Sequence, residues 1–95
     1  MLTVLIPLAK VCEELEAVTV IDILRRAGIK VIAASLGSLH ITASRGTRLT
    51  ADQPLEKVLS DEFDMVILPG GLPDAEHLNT DPRIHTLLQR IYHQG

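Results

Sequence analysis

The apolar positions of the chain form first a run of strand length and then a helical stripe. Residues 2–9 are almost all apolar and do not alternate, which is typical of a strand buried on both faces of a parallel sheet. Residues 13–26 begin with glutamates, end with two arginines and precede Gly28, so they predict a helix. Residues 29–35 are again apolar, and together these segments predict a βαβ unit with a right-handed crossover. The expected apolar stripe of this helix consists of Leu15, Val18 and Leu24, with Ile21 (or Asp22) between the last two.

The rest of the chain predicts shorter elements and a closing helix. We expect a minor hairpin of residues 41–43 and 47–50 and one helical turn at residues 54–59. A third apolar strand is expected at residues 63–68. Asp81 and Pro82 are typical of the N-cap and the first position of a helix, whose expected stripe is Leu87, Leu88 and Ile91. This order of elements predicts an α/β fold, a doubly wound parallel sheet with helices on both faces.

The predicted sheet is small for its class. Three parallel strands leave at least one edge unpaired, and the closing helix should lead back into another parallel strand. We therefore expect residues 1–95 to be the N-terminal portion of a single α/β domain that continues with that strand.

The composition argues against nucleic-acid and membrane partners and indicates a cellular location. Phe63 and Tyr92 are the only aromatic residues, and the net charge of −3 comes without a basic block, so a nucleic-acid partner is not expected. No apolar run approaches the roughly 20 residues that span a bilayer, and residues 1–10 lack the basic region and the small-residue cleavage site of a secretory signal, so no membrane partner is expected. Because the single cysteine, Cys12, can form no internal disulfide, the expected location is a reducing cytoplasm.

Candidate chemistry lies where ligands gather in parallel sheets, at the carboxyl ends of strands. Residues 10–16 follow the first strand, and residues 69–71, Pro-Gly-Gly, follow the third. The histidines lack the spacing of zinc ligands, and the glycines form neither a dinucleotide fingerprint nor a phosphate-binding loop. No metal and no cofactor are therefore expected.

An ordered set of motifs resembles the N-terminal half of the ThiJ/PfpI superfamily, which includes the parkinsonism-associated deglycase and chaperone proteins. The similarity runs through nearly the whole chain. The matching segments are residues 5–10, 13–18, 22–31, 44–46 (Ser-Arg-Gly) and 64–71 (Asp-Met-Val-Ile-Leu-Pro-Gly-Gly). The resemblance implies a flavodoxin-like fold and a cysteine-dependent enzyme that acts on small carbonyl adducts, as a deglycase, a glyoxalase-like enzyme or a redox-protective chaperone in oxidative stress. Some members carry an older thiazole-biosynthesis label.

The resemblance also implies roles for particular residues. Glu16 matches the carboxylate that hydrogen-bonds the reactive cysteine, and the backbone N–H groups of Gly70 and Gly71 match an oxyanion-type pocket. The cysteine itself belongs on the next strand, after Gly95. Members are usually homodimers, and a small carbonyl-containing or glycated molecule is the implied substrate.

Simpler interpretations stay open. Glu16 alone could be a solvated glutamate of the first helical turn, and Gly70 and Gly71 alone could form a tight turn. Glu13 and Glu14 are expected to face solvent near the helix N-terminus. Cys12 is expected to be a small packing residue near the pocket, the alternative being a reactive thiol at a helix N-terminus. Arg45 and Arg48 are expected in surface ion pairs or subunit contacts.

The chain as a whole has three alternatives. It could be the first half of an enzyme, an inactive truncated product or stress-response binding module, or one of two chains of which the second supplies the missing half.

Overall fold

The apolar run near the N-terminus forms an interior strand of a parallel sheet. The computed structural model describes residues 2–10, 12–69 and 81–94, with side chains of the closing helix described as far as residue 91. The elements in chain order are β1 (Thr3–Leu8), α1 (Glu14–Arg26), β2 (Lys30–Ser35), β3 (His40–Thr42), β4 (Arg48–Thr50), β5 (Gln53–Pro54), α2 (Leu55–Val58), β6 (Met65–Val66) and α3 (Pro82–Gln94).

Within the described residues the main sheet has four strands in the order β5-β2-β1-β6, all parallel. Strands β3 and β4 form a separate antiparallel hairpin in which Ile41 is opposite Leu49. The predicted flavodoxin-like α/β fold is confirmed, as are the βαβ unit and the hairpin. On its outer side β6 has no partner among the described strands, whereas β1 covers its inner side.

Alternate residues of β1 serve two separate core clusters, as expected for a strand covered on both faces. Val4, Ile6 and Leu8 pack towards α1, whereas Leu5 packs towards α2 and α3. The helices therefore lie on both faces of the sheet. No helix in the described part of the chain is both long and apolar enough to cross a membrane.

The apolar stripes of both long helices differ from the predicted ones. Leu15 is 74% exposed and Val18 is also exposed, while Ala17 is buried and Val20, Ile21 and Leu24 pack against the core. In α3 the buried residues are Ile84 and Leu87, with Ile91 partly buried and Leu88 exposed. Several apolar positions fit a spacing of three or four residues, and only contact with the sheet selects which of them form the buried face.

Helix ends follow their sequence signals. The Glu13 side chain accepts a hydrogen bond from the Leu15 N–H at the start of α1, and Gly28 adopts a φ of 80° beyond its end. Asp81 caps α3 as predicted, because its Oδ1 accepts from the Arg83 N–H at 2.8 Å.

Two strands differ from expectation. The two-residue strand β5 was not predicted; it pairs with the end of β2, and its proline suits an edge position. Asp52, just before β5, connects this edge to β2 and α1. Its Oδ2 accepts hydrogen bonds from the Ala33 N–H at 2.9 Å and from the Arg25 Nη2 at 2.7 Å. Strand β6 is shorter than the predicted residues 63–68, with ladder pairing at Met65 and Val66.

Candidate functional site

A shallow groove lies where the sheet changes its direction of winding. The chain leaves β1 towards β2 on one side and later returns to β6 on the other, and such a switch point is where open α/β sheets bind ligands. The N-terminal half of α1 and the segment after β6 form the walls. The groove has a volume of about 370 Å³ and is lined by Ile6, Leu15, Glu16, Ala17, Thr19, Val20 and residues 67–69.

Glu16 lies in this groove, and its side chain is exposed. The rest of the lining is mostly apolar, with Ile67, Leu68 and Pro69 opposite the helix. Within the described residues no hydrogen bond reaches the Glu16 carboxylate. The carboxylate is therefore available to a group that enters the groove from outside the described part of the chain.

Pro69, the first residue of the predicted oxyanion segment 69–71, lies at this groove. It is buried and lines the groove. Gly70 and Gly71 lie outside the described residues, and their role stays a prediction.

Glu14 is partly exposed, but its carboxylate is not free in solvent as expected, because it is hydrogen-bonded to the turn between β3 and β4. Its Oε1 accepts a hydrogen bond from the Ser44 hydroxyl at 2.9 Å, and the Arg45 N–H lies 3.1 Å from both carboxylate oxygens. Its Oε2 also accepts from the Thr47 N–H at 3.4 Å. The carboxylate thus fastens the first turn of α1 to the turn between β3 and β4, about thirty residues away in sequence.

The hydrogen bonds strongly favour the ionised form of Glu14. Partial desolvation raises the pKa of this carboxyl, but the hydrogen bonds from Ser44, the backbone and Thr47 together lower it from 4.5 to about 2. The sequence signal that could have indicated this contact is Ser-Arg-Gly at 44–46, because serine and glycine suit a turn that presents several donors.

We predict that Glu14 makes the protein acid-sensitive. Since its pKa in the folded state lies below its ordinary value, the ionised carboxylate stabilises the fold above about pH 4.5, and this contribution is lost as the pH falls towards 2. Urea unfolding midpoints from about pH 5 to about pH 2 should therefore fall less steeply in Glu14→Gln than in the parent protein. Glu62→Gln removes the same charge at an exposed position and should keep the parent slope; equal slopes in all three proteins would contradict the prediction.

Cys12 is fully buried, with the α1-side core cluster around it. Its backbone N–H donates to the Ala9 carbonyl, and its carbonyl accepts from the Ser44 N–H at 2.8 Å. This placement fits the expected packing role.

Within the described residues, the two arginines of the hairpin do not form the ion pairs that were one of their two expected roles; a subunit contact, the other role, stays a prediction. Arg45 and Arg48 are exposed, and neither makes an ion pair with a carboxylate of the described residues. Arg45 contributes through its backbone N–H instead. Among residues 2–10, 12–69 and 81–94, no three histidine, cysteine or acidic side chains are grouped as metal ligands.

A second cavity, which the sequence did not indicate, lies at the carboxyl ends of β1 and β2. It has a volume of about 670 Å³ and is lined by residues of four segments, 8–10, 36–38, 40–42 and 81–83. Its charged residues near α3 are already paired, since Arg83 Nη2 contacts Asp81 Oδ2 at 2.8 Å and donates to the Leu36 carbonyl. The cavity therefore lacks the available carboxylate that the groove has.

Comparison with known proteins agrees with the resemblance carried by the motifs. A model of the DJ-1/PfpI family matches residues 2–95. Protein dj-1beta of Drosophila melanogaster is 41% identical over 90% of this chain and 46% of its own length. The structure of oxidized DJ-1 from Toxoplasma gondii has a TM-score of 0.96 and 36% identity, covering 100% of this chain and 52% of that chain.

Some relatives carry an activity in their names. The glutathione-independent glyoxalase DJR-1.2 of Caenorhabditis elegans is 33% identical over 87% of this chain and 44% of its own length. The chain thus spans about half the length of the fly and nematode proteins and of the Toxoplasma chain. Because the family model matches almost every residue, and the fold agrees over the full chain, the chain belongs to the DJ-1/PfpI family.

Proposed function

We propose that this chain forms half of a cysteine-dependent enzyme that acts on small carbonyl compounds, as a glyoxalase or a deglycase. The observation that carries the proposal is the position of Glu16, an available carboxylate in a mostly apolar groove at the switch point of the sheet. Family membership and a relative named as a glyoxalase support the same conclusion. The other half is the segment that the relatives have beyond the matched length, and the two halves together are called the whole protein below.

The chemistry requires a thiolate, a proton carrier and a site for negative charge. A thiolate adds to the carbonyl carbon, and the carbonyl oxygen, which takes the electron pair, becomes negative until it is protonated. Glu16 is proposed to hydrogen-bond the reactive cysteine, supplied by a strand that follows β6, and to exchange protons with it. The N–H groups of Gly70 and Gly71 are proposed to stabilise the negative oxygen, since residues without a side chain allow a close approach.

The apolar lining of the groove suits this role. Ile6, Ile67 and Leu68 present few polar groups, so a thiol entering the groove would meet the Glu16 carboxylate as its principal polar partner. In such surroundings a carboxylate and a thiol that share a hydrogen bond titrate as a coupled pair.

A homodimer and a cytoplasmic location are further parts of the proposal. Leu15, Val18 and Ile23 are exposed apolar side chains of α1, and such residues in one helix suit a contact with a second subunit. A protective role in oxidative stress, as an enzyme or a chaperone, would follow from a reactive cysteine beside a carboxylate.

We predict that the 95-residue chain does not consume methylglyoxal, whereas the whole protein does. The single cysteine of this chain, Cys12, is buried in the core and cannot present its sulfur to a substrate without opening of the fold. Loss of methylglyoxal, followed by its absorbance, is the measurement. The whole protein with serine in place of the reactive cysteine is the control and should lose the activity.

Two outcomes would contradict the proposal. If the 95-residue chain consumes methylglyoxal and this activity disappears in Cys12→Ser, Cys12 is the nucleophile. A whole protein that leaves methylglyoxal and glycated amino acids unchanged would favour the non-enzymatic alternative, a binding module.

A further inference from the structure

Glu14 and Glu16 project from different sides of the beginning of α1. Residues of an α-helix are about 100° apart around its axis, so these two lie roughly 200° apart. Glu14 contacts the turn between β3 and β4, whereas Glu16 lines the groove. An interaction that fixes the orientation of Glu14 therefore also fixes the direction in which Glu16 points.

The contact at Glu14 is strong for a residue near the surface. Both carboxylate oxygens accept hydrogen bonds, from the Ser44 hydroxyl and from the N–H groups of Arg45 and Thr47. The Cys12 carbonyl, two residues earlier, accepts from the Ser44 N–H at 2.8 Å. We call this set of contacts, from Cys12 and Glu14 to residues 44–47, the turn clasp.

The conformation of the turn allows several donors to converge. Ala43 donates to the Thr47 carbonyl at 2.8 Å, and Gly46 donates to the Ala43 carbonyl at 2.9 Å. Gly46 adopts a φ of 86°, in the left-handed region that favours glycine. Successive N–H groups of such a turn point to one side and bind an anion there.

We propose that Glu14 is a positioning residue for Glu16. The turn clasp holds the first turn of α1 against the hairpin, and this orientation directs the Glu16 carboxylate into the groove beside Pro69. The inference rests on the catalytic role proposed for Glu16 and adds a residue that does not touch the substrate.

Glutamine cannot replace Glu14 in the turn clasp. Every group that faces the two oxygens is a donor, so one oxygen can be kept, but the amide NH₂ of glutamine would face a second donor. Aspartate retains the charge but is one methylene shorter, so it should restore the contacts only in part. Ser44→Ala removes one donor and leaves the backbone donors in place.

The test uses the whole protein with Glu14→Gln, Ser44→Ala, the double variant and Glu62→Gln as the control for charge. Hydrogen exchange of the Arg45 and Thr47 amides reports the turn clasp, and the pKa of the reactive cysteine, from thiolate absorbance, reports the position of Glu16. We expect exchange about tenfold faster in Glu14→Gln, since hydrogen bonds to charged groups are the strong ones. We also expect its thiol pKa to shift in the direction that Glu16→Gln shifts it, with a smaller shift in Ser44→Ala and no further shift in the double variant.

The outcomes separate the inference from the proposed function. If Glu16→Gln shifts the thiol pKa and Glu14→Gln does not, Glu14 is only structural and the inference is wrong, while the proposed function stands. If neither shifts it, the role of Glu16 fails and the inference fails with it. Unchanged amide exchange in Glu14→Gln would overturn the turn clasp and the inference built on it, while the proposed function stands.

Discussion

Glu16→Gln is expected to lower kcat/KM of the whole protein for methylglyoxal by about a hundredfold or more, the usual scale for losing a group that carries protons. Glutamine keeps the shape of the side chain and one acceptor oxygen, but it can neither hold a negative charge nor exchange a proton with the cysteine. The loss should appear mainly in kcat, with a shift in the pH profile that follows the pKa of the thiol. The fold should survive, because Glu16 is exposed and has no hydrogen bond within the described residues.

The choice of control matters for this experiment. Glu14 shares a helical turn and a charge with Glu16, but its hydrogen bonds to the hairpin exclude it as a neutral reference. Glu62 is exposed and lies outside the groove lining, so Glu62→Gln is the matched change. Equal activities of Glu16→Gln and Glu62→Gln, with equal thiol pKa values, would show that Glu16 has no special role.

Leu5→Ala is expected to cost about 2–5 kcal/mol in the free energy of unfolding, the range for a leucine truncated in a packed core. Leu5 is 0% exposed at the centre of β1 and packs against α2 and α3. Because small domains have only about 5–15 kcal/mol of stability in total, the variant should be near the limit of folding. Urea unfolding followed by circular dichroism measures the change.

Leu2→Ala makes the same chemical change at a position that is 56% exposed. Its unfolding free energy should stay within about 0.5 kcal/mol of the parent value, as for most surface substitutions. A loss in Leu2→Ala as large as that in Leu5→Ala would mean that burial in β1 does not determine the stability of this sheet.

The elements and their order follow from local pattern alone. The almost continuous apolar run of residues 2–9 requires cover on both faces, and the structure places separate clusters on the two sides of β1. The ends of α1 and α3 carry their signals within a few residues, at Glu13, Gly28 and Asp81. The motifs also identified the family, because their order and spacing extend through almost the whole chain.

Side-chain roles near the groove depended on longer-range contacts. From the sequence, Glu13, Glu14 and Glu16 are three similar residues of one helix start, and the resemblance singles out Glu16 alone. In the structure Glu13 caps the helix, Glu14 binds the hairpin turn and Glu16 lines the groove. The second of these roles needs Ser44, thirty positions along the chain, at 2.9 Å from the carboxylate.

The sequence by itself determined the βαβ order, the helix limits, the family and the position of Glu16 near a strand end. The tertiary structure alone decided that α1 buries Ala17 rather than Leu15, that Gln53 and Pro54 join the sheet, and that Glu14 is hydrogen-bonded. Periodicity and capping act over a few residues and are therefore visible in sequence. The burial of one helix face and the pairing of a carboxylate with a distant turn depend on how the elements pack, and this is set by all of their contacts together.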